Sequence, residues 1–512
     1  MPDINKILIA NRGEIAVRII RTCRDLGIRT VAVYSRPDEG APHVLLADQS
    51  VFIGEAASSE SYLSIDKMVK AAKDTEADAI HPGYGFLSEN ADFSRICEEE
   101  GIIFIGPRAE SIKKMGDKTE ARRLMKQAGV PYPPGSEGAM KSIADAKELA
   151  DEIGYPVLIK AAAGGGGKGM RIVYDKERFE AGVKAARSEA KNAFGDDRVY
   201  IEKYLETPRH VEFQILADDQ GHILHLFDRE CSIQRRHQKV IEEAPCMALS
   251  DGLRNEMAEA AVAAARACNY TGAGTVEFLL DKHDKFYFLE MNTRLQVEHP
   301  ITEMITGVDL VAQQIRVAEG KELQLKQNEL KIDGHAIECR VYAEDPSDGF
   351  LPSTGVLEKH RPPGGPGVRV DAGVEEGQEI TINYDPMIAK LCVHAPTRDQ
   401  AIDRMLRALD EYEVAGCRTT IPFCSYVLKH PDFVRAEYDT YFVDEVYSPE
   451  YLSAEDDPSG AVLSVAAAIL KVTHTANTGG VWEEDPYPPS TGGDRHPVKV
   501  SNPYSNWWKN RK

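Results

Sequence analysis

The 512-residue chain lacks long apolar runs, an excess of basic charge and paired cysteines, and each absence excludes a class of protein. The longest apolar run, residues 461–470, has about half of the ~20 residues that a membrane-spanning helix needs. Lys and Arg number 61 against 82 Asp and Glu, so the net charge of −21 argues against a nucleic-acid partner. Nine cysteines without CxxC or zinc-ligand spacing are typical of reduced thiols in a cytosolic enzyme. We therefore expect a cytoplasmic protein with neither membrane nor nucleic acid as a partner.

Three familiar signatures are also missing. The first residues lack the basic-then-apolar pattern of a signal peptide. The turn after the first strand lacks GxGxxG spacing, which argues against dinucleotide binding, and no glycine-rich segment has Walker spacing. Any phosphate site must therefore be built in another way.

The order of predicted elements indicates an α/β protein with several domains. Buried strands alternate with helices from Lys6 to Ile105, which predicts a doubly wound parallel sheet. A proline-rich linker at residues 130–135 precedes a small α/β module, residues 136–204, and a larger strand-rich region, residues 205–445.

Polar residues alternate with apolar ones in the segment 289–299. If this segment is one strand, its polar side chains share a face, and they are Glu290, Asn292, Arg294, Gln296 and Glu298. A hairpin with the predicted strand 274–280 would place Glu277 beside Glu290. With Asn292, the two carboxylates form an oxygen-rich site of the kind that Mg²⁺ prefers when it also holds nucleotide phosphates. The alternative is a solvated outer face.

A run of four glycines, residues 164–167, follows a predicted strand that ends in Lys160. Such a loop exposes backbone amides that can close over phosphates, although a flexible linker is the alternative. Lys118 begins a predicted helix, where it could reach phosphates or be solvated. A strand that leads into a hinge could present Glu202 and Leu205 to an adenine ring.

A basic cluster lies in residues 231–243, where Arg235, Arg236 and Lys239 fall within five positions. With Arg294 it predicts a small-anion site, and the alternative is a solvated basic turn. A carbon substrate would then lie between this cluster and Glu298, which can act as a general base.

Taken together, these motifs resemble the ATP-grasp superfamily and, within it, the biotin carboxylases of biotin-dependent carboxylases, over roughly residues 4–447. The motifs that carry the resemblance are residues 9–15 (IANRGEI), 81–90 (HPGYGFLSEN), 164–170, 209–212 (RHVE), 234–239, 290–300 and 384–391 (YDPMIAKL).

The resemblance implies a role for each matching residue. The implied ATP ligands are Lys118, Lys160, Gly165, Gly166, Gly167, Met170, Glu202, Leu205, His210, Gln234 and His237. Mg²⁺ or Mn²⁺ would bind at Glu277, Glu290 and Asn292, and bicarbonate at Lys239, Arg294, Gln296 and Val297. Glu298 would deprotonate bicarbonate and Arg340 would stabilise the biotin enolate. Tyr84 and His237, the latter also among the ATP ligands, match family positions near the biotin pocket. Lys239 and Arg294 are also implied in catalysis.

The resemblance also implies a domain plan and a reaction. We expect an N-terminal domain over 1–115, an ATP-grasp domain over 116–333 with a lid at 136–204, a C-terminal domain over 334–447 and a tail over 448–512. The ATP-grasp domain should hold a larger mixed sheet. The implied reaction is ATP-dependent carboxylation of biotin on a separate carrier protein, through carboxyphosphate, as the first half-reaction of an acyl-CoA carboxylase of the acetyl-CoA type. A carboxyltransferase subunit would be a partner, and the chain would be a homodimer or part of a larger complex.

Other readings stay open from the residues alone. The chain could serve a pyruvate or propionyl-CoA carboxylase, be another ATP-grasp carboxylate ligase, or be a non-catalytic nucleotide-responsive subunit. Ala139-Met140-Lys141 resembles a biotinylation site, but a predicted helix follows it and no β-rich carrier module flanks it. The tail, with Trp507 and Trp508, is either a docking segment or a disordered remnant.

Overall fold

The computed structural model describes residues 3–136, 138–140, 142–161 and 170–453, with the side chain of Phe194 excepted. The loop glycines Gly165, Gly166 and Gly167, the lysine of the Ala-Met-Lys motif and residues 454–512 of the predicted tail lie outside this description. Among the described helices, none is long and apolar enough to cross a membrane.

The N-terminal part is a five-stranded parallel sheet of order β3-β2-β1-β4-β5, as predicted. Its strands are β1 (Lys6–Ile9), β2 (Arg29–Ser35), β3 (Gln49–Gly54), β4 (Ala79–His81) and β5 (Ile103–Phe104). The helices that accompany them are α1 (Gly13–Asp25), α2 (Pro42–Leu46), α3 (Ile65–Asp74), α4 (Ala91–Glu99), α5 (Ala109–Gly116) and α6 (Lys118–Ala128). Helices α2 and α5 were not predicted, because each is too short to show an apolar period.

The strand order reverses direction between β1 and β4, which are neighbours in the sheet but not in the chain. In open α/β sheets, ligands bind outside the carboxyl ends of the strands at such a point. The loops that leave these two strands carry residues 10–12 and 82–90, so the topology predicts that both loops line a ligand site.

A small antiparallel sheet of order β7-β6-β8 forms the region predicted as a lid. Its elements are α7 (Ile143–Ile153), β6 (Val157–Ala161), β7 (Met170–Val173), α8 (Phe179–Phe194) and β8 (Val199–Lys203). The two helices cover one face of the sheet with an apolar core of its own, which includes Ile159, Phe179 and Val183.

The remaining strands lie in the second half of the chain. They are β9 (Arg209–Ala217), β10 (Ile223–Arg235), β11 (Gln238–Ala244), β12 (Gly272–Leu280), β13 (Phe286–Asn292), β14 (His335–Tyr342), β15 (Glu344–Asp345), β16 (Leu351–Pro352), β17 (Gly355–Val356), β18 (Lys359–Arg361), β19 (Val368–Ala372), β20 (Glu379–Ile380), β21 (Met387–Ala395) and β22 (Glu413–Ala415). The helices are α9 (Asp251–Ala267), α10 (His299–Thr306), α11 (Leu310–Ala318), α12 (Arg398–Glu411), α13 (Ile421–Lys429), α14 (Pro431–Val434), α15 (Phe442–Val446) and α16 (Glu450–Ser453).

Eight of these strands form one large sheet of order β13-β12-β9-β10-β11-β14-β21-β19. All its pairings are antiparallel, whereas we expected a mixed sheet. The pairing of β11 with β14 joins the predicted ATP-grasp region to the predicted C-terminal region without a break. Because hydrogen bonds cross this boundary, side chains from both regions are held on one rigid surface.

Candidate active site

Strands β12 and β13 form the predicted hairpin, and Glu277 lies directly opposite Glu290 in its register. The expectation that one strand carries all five alternating polar residues is wrong, because β13 ends at Asn292. Residues 293–298 form an irregular turn, and α10 begins at His299. The sequence pattern could not show this, since important partners of residues 293–298, among them Glu89 and Lys390, come from distant parts of the chain.

The five side chains nevertheless meet at one large cavity of about 770 Å³. The cavity lies where the topology predicts a ligand site, and the loops after β1 and β4 form one wall. The lining residues used below are Glu14, Tyr84, Glu89, His210, His237, Lys239, Glu277, Glu290, Asn292, Arg294, Gln296, Val297, Glu298 and Arg340. The alternation therefore marked side chains that line one cavity, although the single strand that we expected to carry them is not present.

Lys239 lies at the centre of the charged wall. Its ammonium nitrogen is 2.6 Å from a carboxylate oxygen of Glu212, 3.0 Å from Glu277 and 2.6 Å from Glu298. Burial would lower the pKa of Lys239, but the three carboxylates hold it well above its ordinary value. Lys239 is therefore a fixed positive charge that an incoming anion can share.

Glu298 is buried between two cations. Its second oxygen is 3.0 Å from Arg340, whose guanidinium is also 2.6 Å from Glu242. Burial would raise the pKa of Glu298, but Lys239 and Arg340 hold it well below its ordinary value. Glu298 is thus ionised at neutral pH and can accept a proton.

Arg294 connects the turn to the N-terminal loops. It donates to Glu89 at 2.9 Å, to Gln296 at 2.7 Å and to Asn292 at 2.8 Å. Gln296 donates in turn to Glu277 at 3.1 Å. These bonds orient the guanidinium and the amide toward the same cavity as Lys239.

His210 lies beside the predicted metal ligands. One ring nitrogen is 3.0 Å from Glu277 and the other is 2.7 Å from the amide nitrogen of Gln234. Gln234 is buried behind His210, so it supports the histidine rather than lining the cavity itself. His237 lines the cavity from the tight turn between β10 and β11, where its φ is 68°.

Only part of the basic cluster of residues 235–239 lines the cavity. Lys239 and His237 face the cavity, but Arg235 forms an ion pair with Glu344 at 2.8 Å and stacks on Phe350. Arg236 is exposed at the tip of the turn. The prediction that all three cations of the cluster contribute to an anion site is therefore wrong, because the hairpin turn sends neighbouring side chains in different directions.

A second cavity of about 260 Å³ adjoins the first and shares Glu89, Glu290 and Asn292 with it. Lys118 and Lys160 line it, as does Glu202. The carboxylate of Glu202 is paired with Lys160 and, at 2.8 Å, with Arg122. Burial and the charge of Lys160 lower the pKa of Lys118, so an anion between the two lysines would be stabilised.

Two further predicted ATP ligands lie at the edges of this region. Met170 begins β7 and is the register partner of Lys160, which brings it beside the second cavity. Leu205 is half-buried just after β8 and does not line either of the two cavities in the described part of the chain.

The donor set at Glu277, Glu290 and Asn292 fits a hard divalent cation. Desolvation and the charge of Glu277 raise the pKa of Glu290, so the two carboxylates repel each other across the hairpin. The amide nitrogen of Asn292 donates to Glu277 at 2.9 Å, and its side-chain oxygen accepts from Arg294 at 2.8 Å, so Asn292 holds an oxygen ligand within the same cluster. A Mg²⁺ or Mn²⁺ ion would relieve the repulsion with the oxygen ligands it prefers.

Sequence reasoning gave no role to two buried residues behind this site. Glu212 holds Lys239 and is itself bonded at 2.6 Å to Arg229, which is fully buried. Glu242 holds Arg340. A signal for Glu212 was present, because His210, Glu212 and Gln214 alternate with apolar residues on β9 and therefore share a face.

The parallel N-terminal sheet, the small antiparallel sheet, the large antiparallel sheet and the cavity between carboxylates and lysines are the architecture of an ATP-grasp enzyme. Three sequence-family models match the chain: the biotin carboxylase N-terminal domain over residues 3–112, the ATP-binding domain of the carbamoyl-phosphate synthase L chain over 117–326, and the biotin carboxylase C-terminal domain over 338–445. The chain belongs to the biotin carboxylase family.

Curated relatives and solved structures agree with this assignment. Biotin carboxylase 1 of Bacillus subtilis is 56% identical over 442 residues, which cover 86% of this chain and 98% of that protein. The propionyl-CoA carboxylase alpha chain of Ruegeria pomeroyi is 50% identical over 492 residues, covering 92% of this chain and 72% of that protein. A biotin carboxylase–ATP complex from Campylobacter jejuni matches with a TM-score of 0.83 and 49% identity, over 86% of this chain and 99% of that one. The biotin carboxylase domain dimer of Hydrogenobacter thermophilus 2-oxoglutarate carboxylase was solved with MgADP and bicarbonate. It matches with a TM-score of 0.82 and 48% identity, and the match covers 87% of this chain and 98% of that one.

Proposed function

We propose that this chain catalyses the ATP-dependent carboxylation of biotin on a carrier protein, with bicarbonate as the carbon source. The observation that carries the proposal is the arrangement of Glu298 between Lys239 and Arg340. It places an ionised base and two cations in a cavity that continues into the Glu277–Glu290 pair and the two lysines of the second cavity. A base, an anion site and a phosphate site thus adjoin one another.

The first step is the activation of bicarbonate. Lys239, Arg294, Gln296 and Val297 hold the anion, and Glu298 accepts its proton. The resulting oxyanion attacks the γ-phosphorus of ATP, the bond to the bridging oxygen breaks, and the products are carboxyphosphate and ADP. Lys118, Lys160 and His210 stabilise the charge that develops on the phosphates.

The second step transfers the carboxyl group. Carboxyphosphate breaks its C–O bond to release CO₂ and phosphate, and the phosphate takes the N1 proton of biotin. Arg340 pairs with the enolate oxygen that results, and N1 then forms a bond to CO₂. Tyr84 and His237 lie at the same cavity and are the proposed contacts near the biotin ring.

Glu277, Glu290 and Asn292 would hold the divalent cation, which supplies positive charge to the transferring phosphoryl group. Glu202 and Leu205 would hold adenine, and the loop glycines with Met170 would cover the phosphates. Closure of the lid, residues 136–204, would exclude water, since carboxyphosphate hydrolyses readily. We keep the domain boundaries near residues 115, 333 and 447 as part of this proposal.

The chain would work in the cytoplasm as a homodimer or in a larger complex with a biotinylated carrier and a carboxyltransferase. The match to the Ruegeria propionyl-CoA carboxylase alpha chain extends over 492 residues, against 442 for the Bacillus enzyme. This longer match favours an acyl-CoA as the final acceptor. Pyruvate is the second candidate acceptor, because a pyruvate carboxylase component of Methanothermobacter thermautotrophicus is 54% identical over 441 residues.

The decisive experiment measures ADP release by the purified chain with MgATP, bicarbonate and free biotin, with each omitted in turn. We expect ADP formation that requires bicarbonate and rises with biotin. ATP turnover indifferent to both would assign the chain to another carboxylate ligase. Nucleotide binding without turnover would support the non-catalytic alternative.

A further inference from the structure

Lys390 of β21 is a buried charge to which the proposed function gives no role. None of its side chain is exposed, although an ammonium group is costly to bury without partners. Its nitrogen lies 2.8 Å from the carbonyl oxygen of Val297 and 3.2 Å from a carboxylate oxygen of Glu14. It therefore touches the segment that carries the proposed base and the first turn of α1.

The register of the large sheet places Lys390 directly opposite Arg340 of β14. Opposite residues of an antiparallel pair share a face, so the two cations project toward the same turn, residues 293–298. Arg340 reaches the carboxylate of Glu298, while Lys390 reaches the carbonyl just before it. One cation thus holds the side chain of the proposed base, and its neighbour holds the peptide that carries it.

This turn needs such anchors, because the strand that precedes it ends at Asn292 and no ladder hydrogen bonds define the segment that follows. The carbonyl of Gln296 is 2.8 Å from a ring nitrogen of the buried His299. With Lys390 on Val297, both carbonyls that precede Glu298 are held by buried side chains. These two contacts, with the bond from the backbone amide of Thr293 to Glu89 at 3.0 Å, fix the backbone of the turn.

Glu14 extends the same network to a third segment. The hydroxyl of Tyr84 donates to Glu14, and the ammonium of Lys390 lies 5.9 Å from the Tyr84 ring centre. Burial would lower the pKa of Lys390, but Glu14, Glu338 and Asp371 hold it above its ordinary value. Lys390 therefore keeps the three donors of an ammonium group while it bridges the first turn of α1, the loop after β4 and the turn of residues 293–298.

We propose that Lys390 is a positioning residue for bicarbonate activation, which it serves by fixing the Val297 carbonyl and tying the Glu298 turn to Glu14 and Tyr84. The inference rests on the proposed function, because it assigns to Lys390 the placement of the base and of the backbone at the anion site. It predicts a defect in the use of bicarbonate and not in the binding of ATP.

The test compares Lys390→Met, the double variant Lys390→Met/Glu14→Gln, and Lys390→Arg with the wild type. The double variant also removes the carboxylate of Glu14 that pairs with the ammonium group, so it is the decisive variant if the single Met variant does not fold. Lys359→Met is the matched control, because Lys359 is an exposed lysine in the same part of the chain, paired with Glu413. Bicarbonate-dependent ADP formation gives kcat/KM, and calorimetric titration gives the affinity and stoichiometry for ATP.

We expect kcat/KM for bicarbonate to fall about 100-fold in the Met variants, since a misplacement of roughly 1 Å can cost that much. The affinity and stoichiometry for ATP should stay unchanged, and Lys390→Arg, which keeps charge and donors, should recover much of the loss. A double variant with wild-type kcat/KM would overturn the inference. A fall in kcat/KM that is fully explained by a lower ATP-binding stoichiometry would also overturn it. In that case the variant would only contain fewer folded chains, which is the result expected if Lys390 has a purely structural role. A wild type without bicarbonate-dependent ADP formation would instead reject the proposed function, and this inference with it.

Discussion

At the scale of single residues, the site depends on charges that are buried next to opposite charges. Lys239 has three carboxylates within 3.0 Å, and Glu298 has two cations. Such groups keep their charge without water because each has partners close by, and breaking one partnership leaves the other charge uncompensated. The same arrangement makes substitutions at these positions informative.

Replacement of Glu298 by Gln should abolish the reaction without loss of nucleotide binding. The amide cannot accept the bicarbonate proton, and general-base catalysis contributes about 10²- to 10⁴-fold in rate. We expect bicarbonate-dependent ADP formation to fall by that range while the affinity for ATP, measured by titration, stays the same. Glu99→Gln, at an exposed helical position, is the control. Residual activity above a tenth of the wild type would show that another group is the base.

Glu243 provides a prediction about pH. It accepts bonds from His335 at 2.7 Å and from Arg398 at 2.7 and 3.0 Å. Burial would raise the pKa of Glu243, but these partners lower it to about 2. At pH 4 the carboxylate of the unfolded chain takes up a proton while that of the folded chain does not, so this contribution to stability weakens as the pH falls.

Glu243→Gln removes that contribution. The difference in unfolding free energy between the wild type and this variant should shrink by about 0.8 kcal/mol between pH 7 and pH 4, as linkage predicts for one such group. Urea unfolding at several pH values measures it. Glu411→Gln, which breaks an exposed pair with Arg407, should show no such trend. A difference that grows toward pH 4 would contradict the assignment.

At the scale of elements, caps and turns place the functional side chains. Asp117 caps α6 by accepting from the backbone amides of Thr119 and Glu120 at 2.9 and 3.0 Å. Lys118 is the first residue of that helix, so the cap sets the position of a proposed phosphate ligand. Loss of a cap of this type costs about 1 kcal/mol.

Asp117→Ala should therefore loosen the start of α6. We expect amide hydrogen exchange in residues 118–122 to accelerate about fivefold, which corresponds to about 1 kcal/mol. The KM for ATP should rise at the same time. Asp117→Asn, which can still cap, is the matched control. Equal exchange rates in the two variants would show that the cap does not hold the helix start.

At the scale of the whole molecule, the lid has an apolar core separate from the others. Val183 and Ile159 belong to that core, whereas Ile337 belongs to the core under the large sheet. A third core combines residues of the parallel sheet, such as Ile7, with Leu216 of β9 and Leu310 of α11. The N-terminal part should therefore unfold together with the large sheet, and the lid should be able to open on its own.

Val183→Ala tests this independence. Removing buried methyl groups costs about 2 kcal/mol, and we expect the cost to appear only in the lid. Hydrogen exchange should accelerate over residues 142–161 and 170–203 and stay unchanged in the large sheet. Ile337→Ala, the counterpart in the large sheet, should accelerate exchange in that sheet and leave the lid unchanged. Acceleration throughout the chain in the lid variant would show that the lid is not a separate unit.

Local patterns in the sequence were sufficient for the parallel sheet, the hairpin and many of the residues that line the large cavity. Buried strands and helices alternate with short connections, and the helix predicted near residues 65–74 is α3 at Ile65–Asp74. The polar residues of segment 289–299 identified the cavity, because a row of carboxylates and amides is costly to bury without a function. These properties depend on neighbours in the chain and can be recognised there.

The tertiary structure alone decided which of these residues act together. The turn after Asn292 is shaped by Glu89, Lys390 and His299, two of which are distant in the chain. Arg235 is diverted to Glu344, and β11 joins β14 into one sheet across a predicted domain boundary. The physical reason is that burial and charge compensation are set by contacts between distant segments, and a pattern of neighbouring residues does not contain them.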